Sequence, residues 1–101
     1  MKTVMVRYKT SSKKHAEENA ELVRAVFAQL AERAPEGLRY ASYRLEDGVT
    51  FVHLATMTSP GANPLTSLPA FKAFTKEIES RCVEPPVVAE MHAVGSYGLT
   101  L

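Results

Sequence analysis

Four stretches of the chain alternate polar and apolar residues with the two-residue period of a strand, and two repeat with the period of a helix. Thr3 to Lys9 alternates Val4, Val6 and Tyr8 against Thr3, Met5 and Arg7, and so predicts a first strand. Thr10-Ser11-Ser12 then offers hydroxyls for an N-cap. From about Lys13 to Ala34 the residues Ala16, Ala20, Val23, Phe27, Leu30 and Ala34 fall on one stripe, which predicts an amphipathic helix. Pro35-Glu36-Gly37 ends it, because proline cannot continue a helix and glycine supplies a left-handed cap.

Tyr40 to Met57 reads as two strands joined by Asp47-Gly48, a strong hairpin signal because a type I′ turn needs φ > 0 at both central residues. That register sets Ser42 opposite His53 and Arg44 opposite Phe51. It gives one oily face (Ala41, Tyr43, Leu45, Thr50, Val52, Leu54) and one mixed face (Tyr40, Ser42, Arg44, Phe51, His53, Ala55). Thr58 to Pro64 is a turn-rich loop. A second helix runs from Ser67 to about Arg81, with Pro69 in its first turn and Phe71, Phe74, Ile78 and Cys82 as its apolar stripe. Val83-Glu-Pro-Pro86 breaks the pattern, and a last strand follows from Val87 to about Tyr97.

The order strand, helix, strand, strand, helix, strand is the split βαβ arrangement of ferredoxin-like α+β domains. Right-handed crossovers put both helices on one face of a four-stranded antiparallel sheet. The oily faces, with Val4, Val6, Ala89 and Met91, are expected beneath the helices. The mixed face would keep Met5, Arg7, Tyr40, Ser42, Arg44, Phe51, His53, Met57, Val88, Glu90, His92 and Val94. Such a face is too apolar to be left to water, so a second copy is expected to cover it about a two-fold axis, giving a homodimer.

Totals narrow the class without naming a substrate. One domain spanning 1–101 is expected, with 46% hydrophobic and 23% charged residues, as in a soluble globular protein. A net charge of +1 gives no footprint for nucleic acid or an anionic membrane surface. Uncharged runs are too short for a membrane span, and the N-terminal residues carry no apolar core of a signal peptide. The single cysteine, Cys82, cannot form an internal disulfide, which fits a reducing compartment; the cytoplasm is the expectation.

With these elements in place the whole chain resembles the dimeric α+β barrel superfamily, in particular its antibiotic-biosynthesis monooxygenase-like branch. The likeness rests on element order and length, on the hairpin Tyr43-Arg-Leu-Glu-Asp-Gly-Val-Thr-Phe-Val52, on Leu68-Pro-Ala-Phe-Lys-Ala-Phe74, and on Val94-Gly-Ser-Tyr97. It implies two sheets facing each other across a dimer and small-molecule pockets between sheet and helices. It also implies membership of a group that includes cofactor-free oxygenases of aromatic polyketides, haem-degrading enzymes and isomerases. The oxygenase and haem-degrading members resemble one another in a tryptophan near the end of the third strand, with an asparagine on the first strand or a histidine on the second helix. This chain has no tryptophan, Met57 stands where that ring is expected, and its two asparagines, Asn19 and Asn63, lie elsewhere. Those roles do not carry over.

The chain's own candidates are therefore read from its faces. His53, beside Ser42 and Arg44, with Glu90 and His92 on the same face, suits a general base or an anion-binding group; the same groups equally suit ion pairing across a dimer. Arg7, Ser42, Arg44, Glu90 and His92 are the polar groups expected at that interface. Tyr8, Tyr43, Phe71 and Phe74, with Met57, suit an aromatic-lined cleft for a flat hydrophobic ligand, or simply a core. Tyr43 and His53 are the candidate catalytic pair. His53 and His92 lack a metal-ligand spacing, so no metal is expected, and the resemblance to cofactor-free oxygenases implies no bound cofactor. Cys82 reads as a buried thiol, and Lys13-Lys14-His15 as a solvated face or, more remotely, a phosphate contact. Two functions remain: a cofactor-independent monooxygenase acting on a flat aromatic or polyketide-like molecule, or a non-catalytic homodimer that binds a small hydrophobic molecule or regulates a partner.

Overall fold

A computed structural model describes residues 2–58 and 63–99. The chain runs β1 (Lys2–Thr10), α1 (Lys13–Arg33), β2 (Leu38–Arg44), β3 (Thr50–Met57), α2 (Pro69–Lys76) and β4 (Cys82–Met91), and single 3-10 turns at Pro64–Ser67 and Ile78–Arg81 flank α2. All four strands form one antiparallel sheet in the order β2-β3-β1-β4. This is the ferredoxin-like α+β architecture read from the sequence. Most of the loop expected over Thr58–Pro64 lies outside the described residues.

Local chemistry explains the boundaries. Ser12 caps α1, its hydroxyl accepting from the His15 N–H at 3.1 Å. The left-handed residue that ends α1 is Ala34 (φ 43) rather than Gly37; Gly37 (φ 78) instead shapes the turn into β2. The hairpin has the expected register, with Ser42 opposite His53 and Arg44 opposite Phe51, but not the expected turn. Only Gly48 (φ 78) is left-handed, and its N–H donates to the Leu45 carbonyl at 3.0 Å, so Glu46 and Asp47 are the central residues. The Asp47 carboxylate holds the turn by accepting from the Val49 and Thr50 N–H groups, each at 2.9 Å, and from the Thr50 hydroxyl. Those donors hold its carboxyl at about 2, below the usual carboxylate range.

The second helix is interrupted, α2 proper ending at Lys76, and β4 begins at Cys82, five residues before the expected Val87. Pro85 and Pro86 sit inside β4 because it is an edge strand whose register with β1 shifts between Val87 and Glu84, so their missing N–H groups fall at an irregularity of the ladder. β4 also ends early, leaving His92 and Val94 beyond the sheet and exposed.

The two faces of the sheet are exchanged relative to the expectation. Helices cover the mixed face: Tyr8, Phe51 and His53 are buried beside Val23, Val26 and Phe74 from α1 and α2. Val4, Val6 and Tyr8 pair with Ala55, His53 and Phe51 and so share this side. The face left open carries Met5, Ala41, Tyr43, Val52, Leu54, Val87 and Ala89, joined by the registers Met5–Leu54, Ala41–Leu54 and Tyr43–Val52. Tyr43 is 55% exposed and Val87 64%. The alternation was legible but its polarity was not, because hydrogen bonds can satisfy His53, Tyr40 and Ser42 beneath the helices as well as water can. Among the described residues no helix is long and apolar enough to cross a membrane.

Candidate functional site

At the middle of β3, His53 lies between Val6 of β1 and Ser42 of β2. Tyr8 and Tyr40 stand two residues further along those neighbouring strands on the same face, which brings both phenols within reach of the imidazole. Tyr8 Oη is 2.7 Å from His53 Nε2, Tyr40 Oη is 2.6 Å from Nδ1, and Ser42 Oγ is 3.3 Å from Nε2. From α1, the wholly buried Asn19 donates Nδ2–H to Tyr8 Oη at 2.7 Å. Arg81, buried at the end of the second 3-10 turn, donates to Asn19 Oδ1 at 3.2 Å and to the Phe74 carbonyl at 2.7 Å. A continuous polar chain thus runs from Arg81 through Asn19, Tyr8 and His53 to Tyr40.

Aromatic rings enclose this chain. Phe74 stacks on His53 with centroids 5.4 Å apart, Phe51 on Tyr8 at 5.5 Å, and Phe27 on Tyr40 at 5.1 Å. Desolvation lowers the His53 pKa to about 4, so the imidazole is neutral at physiological pH. Burial pushes both the Tyr8 and the Tyr40 phenols up, which keeps them protonated. Burial also raises the Cys82 thiol, as a structural cysteine would show.

Between this cluster and α2 lies a cavity of about 460 Å³. Val4, Val6, Ala55 and Met57 form its sheet side, Phe71, Phe74 and Ile78 its helical side, and Pro86 and Val88 its β4 edge. Tyr8, Tyr40 and His53 stand on this mostly apolar wall, with Asn63 and Thr75 as its other polar residues and Lys2 as the one charged lining residue among those described. A volume in the range of about 300–1,000 Å³ with a few convergent polar groups is what small-molecule sites show.

Of the residues singled out from sequence, Tyr8, His53, Met57, Phe71 and Phe74 line this one cavity. Tyr43 does not; it points to the open face, and Tyr40, three residues earlier, takes the place expected of it. The expected interface set also divides. Ser42 meets His53, and Arg44 packs its guanidinium over Phe51 at 5.3 Å and pairs with Glu17 at 2.9 Å, both on the helix side. Glu90 pairs with Val4 and shares that side, exposed at the edge, whereas Arg7, opposite Val52, belongs to the open face. His92 lies far enough along the chain to leave β4 altogether. Among the described residues no three His, Cys, Asp or Glu side chains gather where they could hold a metal ion.

Sequence reasoning passed over Tyr40, Asn19 and Arg81. Asn19 did carry a signal, since it interrupts the apolar stripe of α1 three residues after Ala16 and four before Val23, where a polar side chain must find a buried partner. Nothing in the spacing marked Arg81, whose inward aim depends on the break between α2 and the following turn.

No protein-family model matches the chain, and no curated protein matches it by sequence. Solved structures do match in shape. Rv0793 from Mycobacterium tuberculosis superposes with a TM-score of 0.71 at 19% identity, over 94% of this chain and 96% of that one. An antibiotic biosynthesis monooxygenase gives 0.72 at 17% identity, over 94% and 100%. A variant of SnoaB, a cofactor-independent oxygenase from Streptomyces nogalater, gives 0.63 at 17% identity, over 97% of each chain. The fold that the sequence suggested, that of the antibiotic biosynthesis monooxygenase-like proteins with their ferredoxin-like α+β sheet, is the fold of this chain.

Proposed function

We propose that the protein is a cofactor-independent, monooxygenase-like enzyme acting on a flat aromatic or polyketide-like molecule held between the sheet and α2. The observation that carries this reading is the Tyr40–His53–Tyr8 cluster on the wall of a mostly apolar cavity of about 460 Å³. Phe71 and Phe74 supply ring faces for a planar ligand. His53 Nε2 can take the Tyr8 phenolic proton while Tyr8 Oη takes one from a ring oxygen or an adjacent ring carbon of the ligand, so the proton passes to the imidazole through Tyr8. The anion left behind is the species that reacts with dioxygen without a bound cofactor. SnoaB, which shares the fold, is described as a cofactor-independent oxygenase.

The working form we propose is a homodimer. The open face carries Met5, Tyr43, Val52, Leu54 and Val87, an apolar surface that a monomer would expose to water. A second copy presenting the same face about a two-fold axis covers both at once.

Dioxygen uptake with anthrone, a tricyclic ketone with an acidic ring methylene, tests the catalytic reading against His53→Gln. Uptake by the wild type and loss of it in the variant is the expected result. A second reading, binding without catalysis, is favoured by the depressed basicity of His53; it predicts saturable anthrone binding with no uptake. Neither binding nor uptake would overturn both.

A further inference from the structure

We propose that Arg81 and Asn19 fix the direction of the buried hydrogen-bond chain, so that Tyr40 presents its phenolic proton to the cavity and the ligand taken there carries a ring oxygen that accepts it. This rests on the cavity being the ligand site proposed above, and it specifies the chemistry of that ligand.

Arg81, at one end of the hydrogen-bond chain, can only donate. A guanidinium has no acceptor, so the Asn19 atom 3.2 Å from Arg81 is the amide oxygen, and the amide nitrogen faces Tyr8 at 2.7 Å. Tyr8 Oη therefore accepts from Asn19. Its own proton has one acceptor among its contacts, His53 Nε2 at 2.7 Å. A neutral imidazole with an accepting Nε2 carries its proton on Nδ1, and Nδ1 is 2.6 Å from Tyr40 Oη. Tyr40 Oη then accepts from His53, and its remaining proton has no protein acceptor among its hydrogen bonds. It lies on the cavity wall.

One phenolic proton is left over in either direction; Tyr8 is the fully buried phenol and Tyr40 the half-buried one, so the surplus proton falls to Tyr40, and the origin of the chain is well protected. Arg81 is 6% exposed, Asn19 0% and Tyr8 1%. Arg81 has no carboxylate within ion-pair distance among the described residues, so its charge polarises the chain rather than being cancelled beside it. Arg81 and Asn19 are thus positioning residues, and Tyr40 is the group that touches the ligand. A ring ketone placed against Tyr40 would find a donor aimed at the oxygen on which negative charge develops when a neighbouring C–H is deprotonated. A ring without an oxygen would leave that donor unpaired.

The test reads the tautomer first and the ligand second. Two-bond proton–nitrogen spectra of the uniformly 15N-labelled protein near pH 7, with His53 assigned by its loss in His53→Gln, show which ring nitrogen bears the proton. The expected result is Nδ1–H in the wild type. In Asn19→Asp the carboxylate pairs with Arg81 and accepts from Tyr8, so Tyr8 must accept from His53; the expected tautomer is Nε2–H, a change that a merely structural role for Asn19 would not produce. Wild type should also bind 1-tetralone about three- to tenfold more tightly than tetralin, the same skeleton without the oxygen. Asn19→Asp and Tyr40→Phe should each abolish that preference. Nε2–H in the wild type, or a tetralone preference that survives Tyr40→Phe, would overturn the proposal. Nδ1–H with neither probe bound would uphold the chain's direction while refuting both its ligand and the binding reading on which that ligand rests.

Discussion

Burial of a neutral histidine makes the fold sensitive to acid in a calculable way. Below pH 6.5 the unfolded chain binds a proton on His53 that the folded chain refuses until about pH 4. Folding stability contributed by this group is therefore fully present above pH 6.5 and is lost as pH falls through that window. A difference of about 2.5 pH units corresponds to about 3 kcal/mol in total, and to about 2.5 kcal/mol by pH 4.5. Nothing facing the ring offsets it: Tyr8, Tyr40, Ser42 and Phe74 surround His53, none of them a carboxylate, and Arg81, joined to the ring through Asn19 and Tyr8, would disfavour a second positive charge. The Asp47 carboxylate, held at about 2, titrates below the window. Urea unfolding at a fixed protomer concentration between pH 7.5 and 4.5, with wild type and His53→Gln in parallel, isolates the term. The wild type should lose about 1.2 kcal/mol between pH 6 and 5 beyond whatever the variant loses. Parallel curves would refute the claim that His53 is buried uncharged.

Three further outcomes are expected. Tyr8→Phe removes the hydroxyl shared by Asn19 and His53 and strands two buried polar groups, so urea unfolding should show a loss of about 2–4 kcal/mol; a loss below about 0.5 kcal/mol would mean water already serves these groups. The wild type should scatter light as twice 11.1 kDa at micromolar concentration, and Leu54→Asp, on the open face, should halve that mass without loss of helical circular dichroism; a wild-type monomer would end the dimer proposal. Arg44→Glu sets a second carboxylate against Glu17 and removes the cation from the Phe51 ring, so it should cost about 1 kcal/mol of protomer stability and leave association unchanged; a weakened dimer with unchanged stability would place Arg44 at the interface after all.

The sequence displayed its elements well because each rests on local chemistry. Period two against period 3.6, the Ser12 cap and the hairpin register around Asp47 and Gly48 need no knowledge of the rest of the chain, although the turn itself is centred on Glu46 and Asp47. The faces were harder, for a physical reason. β3 is a central strand covered on one side by helices and apolar on the other, so Thr50-Phe-Val-His-Leu-Ala-Thr-Met57 has no wet side for alternation to reveal. Counting oily residues then favours the face with Val52 and Leu54. The interior instead received the residues that can bond one another, and that preference depends on Asn19 and Arg81, which are 34 and 28 residues distant from His53 in the chain. Tyr40 was overlooked for the same cause: it has value only beside His53, and His53 was expected on the opposite side.

One consequence of this arrangement joins the site to the proposed interface. Along β3 the residues that face the cavity, Phe51, His53 and Ala55, alternate with those of the open face, Val52 and Leu54. No other element lies between the two sets; they share a backbone. The pleat that aims His53 at Tyr8 and Tyr40 therefore turns Val52 and Leu54 to the open face. A one-residue slip in the hairpin would exchange the sets, placing Val52 or Leu54 under Phe74 and His53 against the second copy. Asp47 guards against that slip through its three bonds to Val49 and Thr50, although it touches neither cavity nor open face. Loss of the turn carboxylate should thus disturb the His53 tautomer and the association of copies together, whereas a defect confined to one face should disturb only one of them.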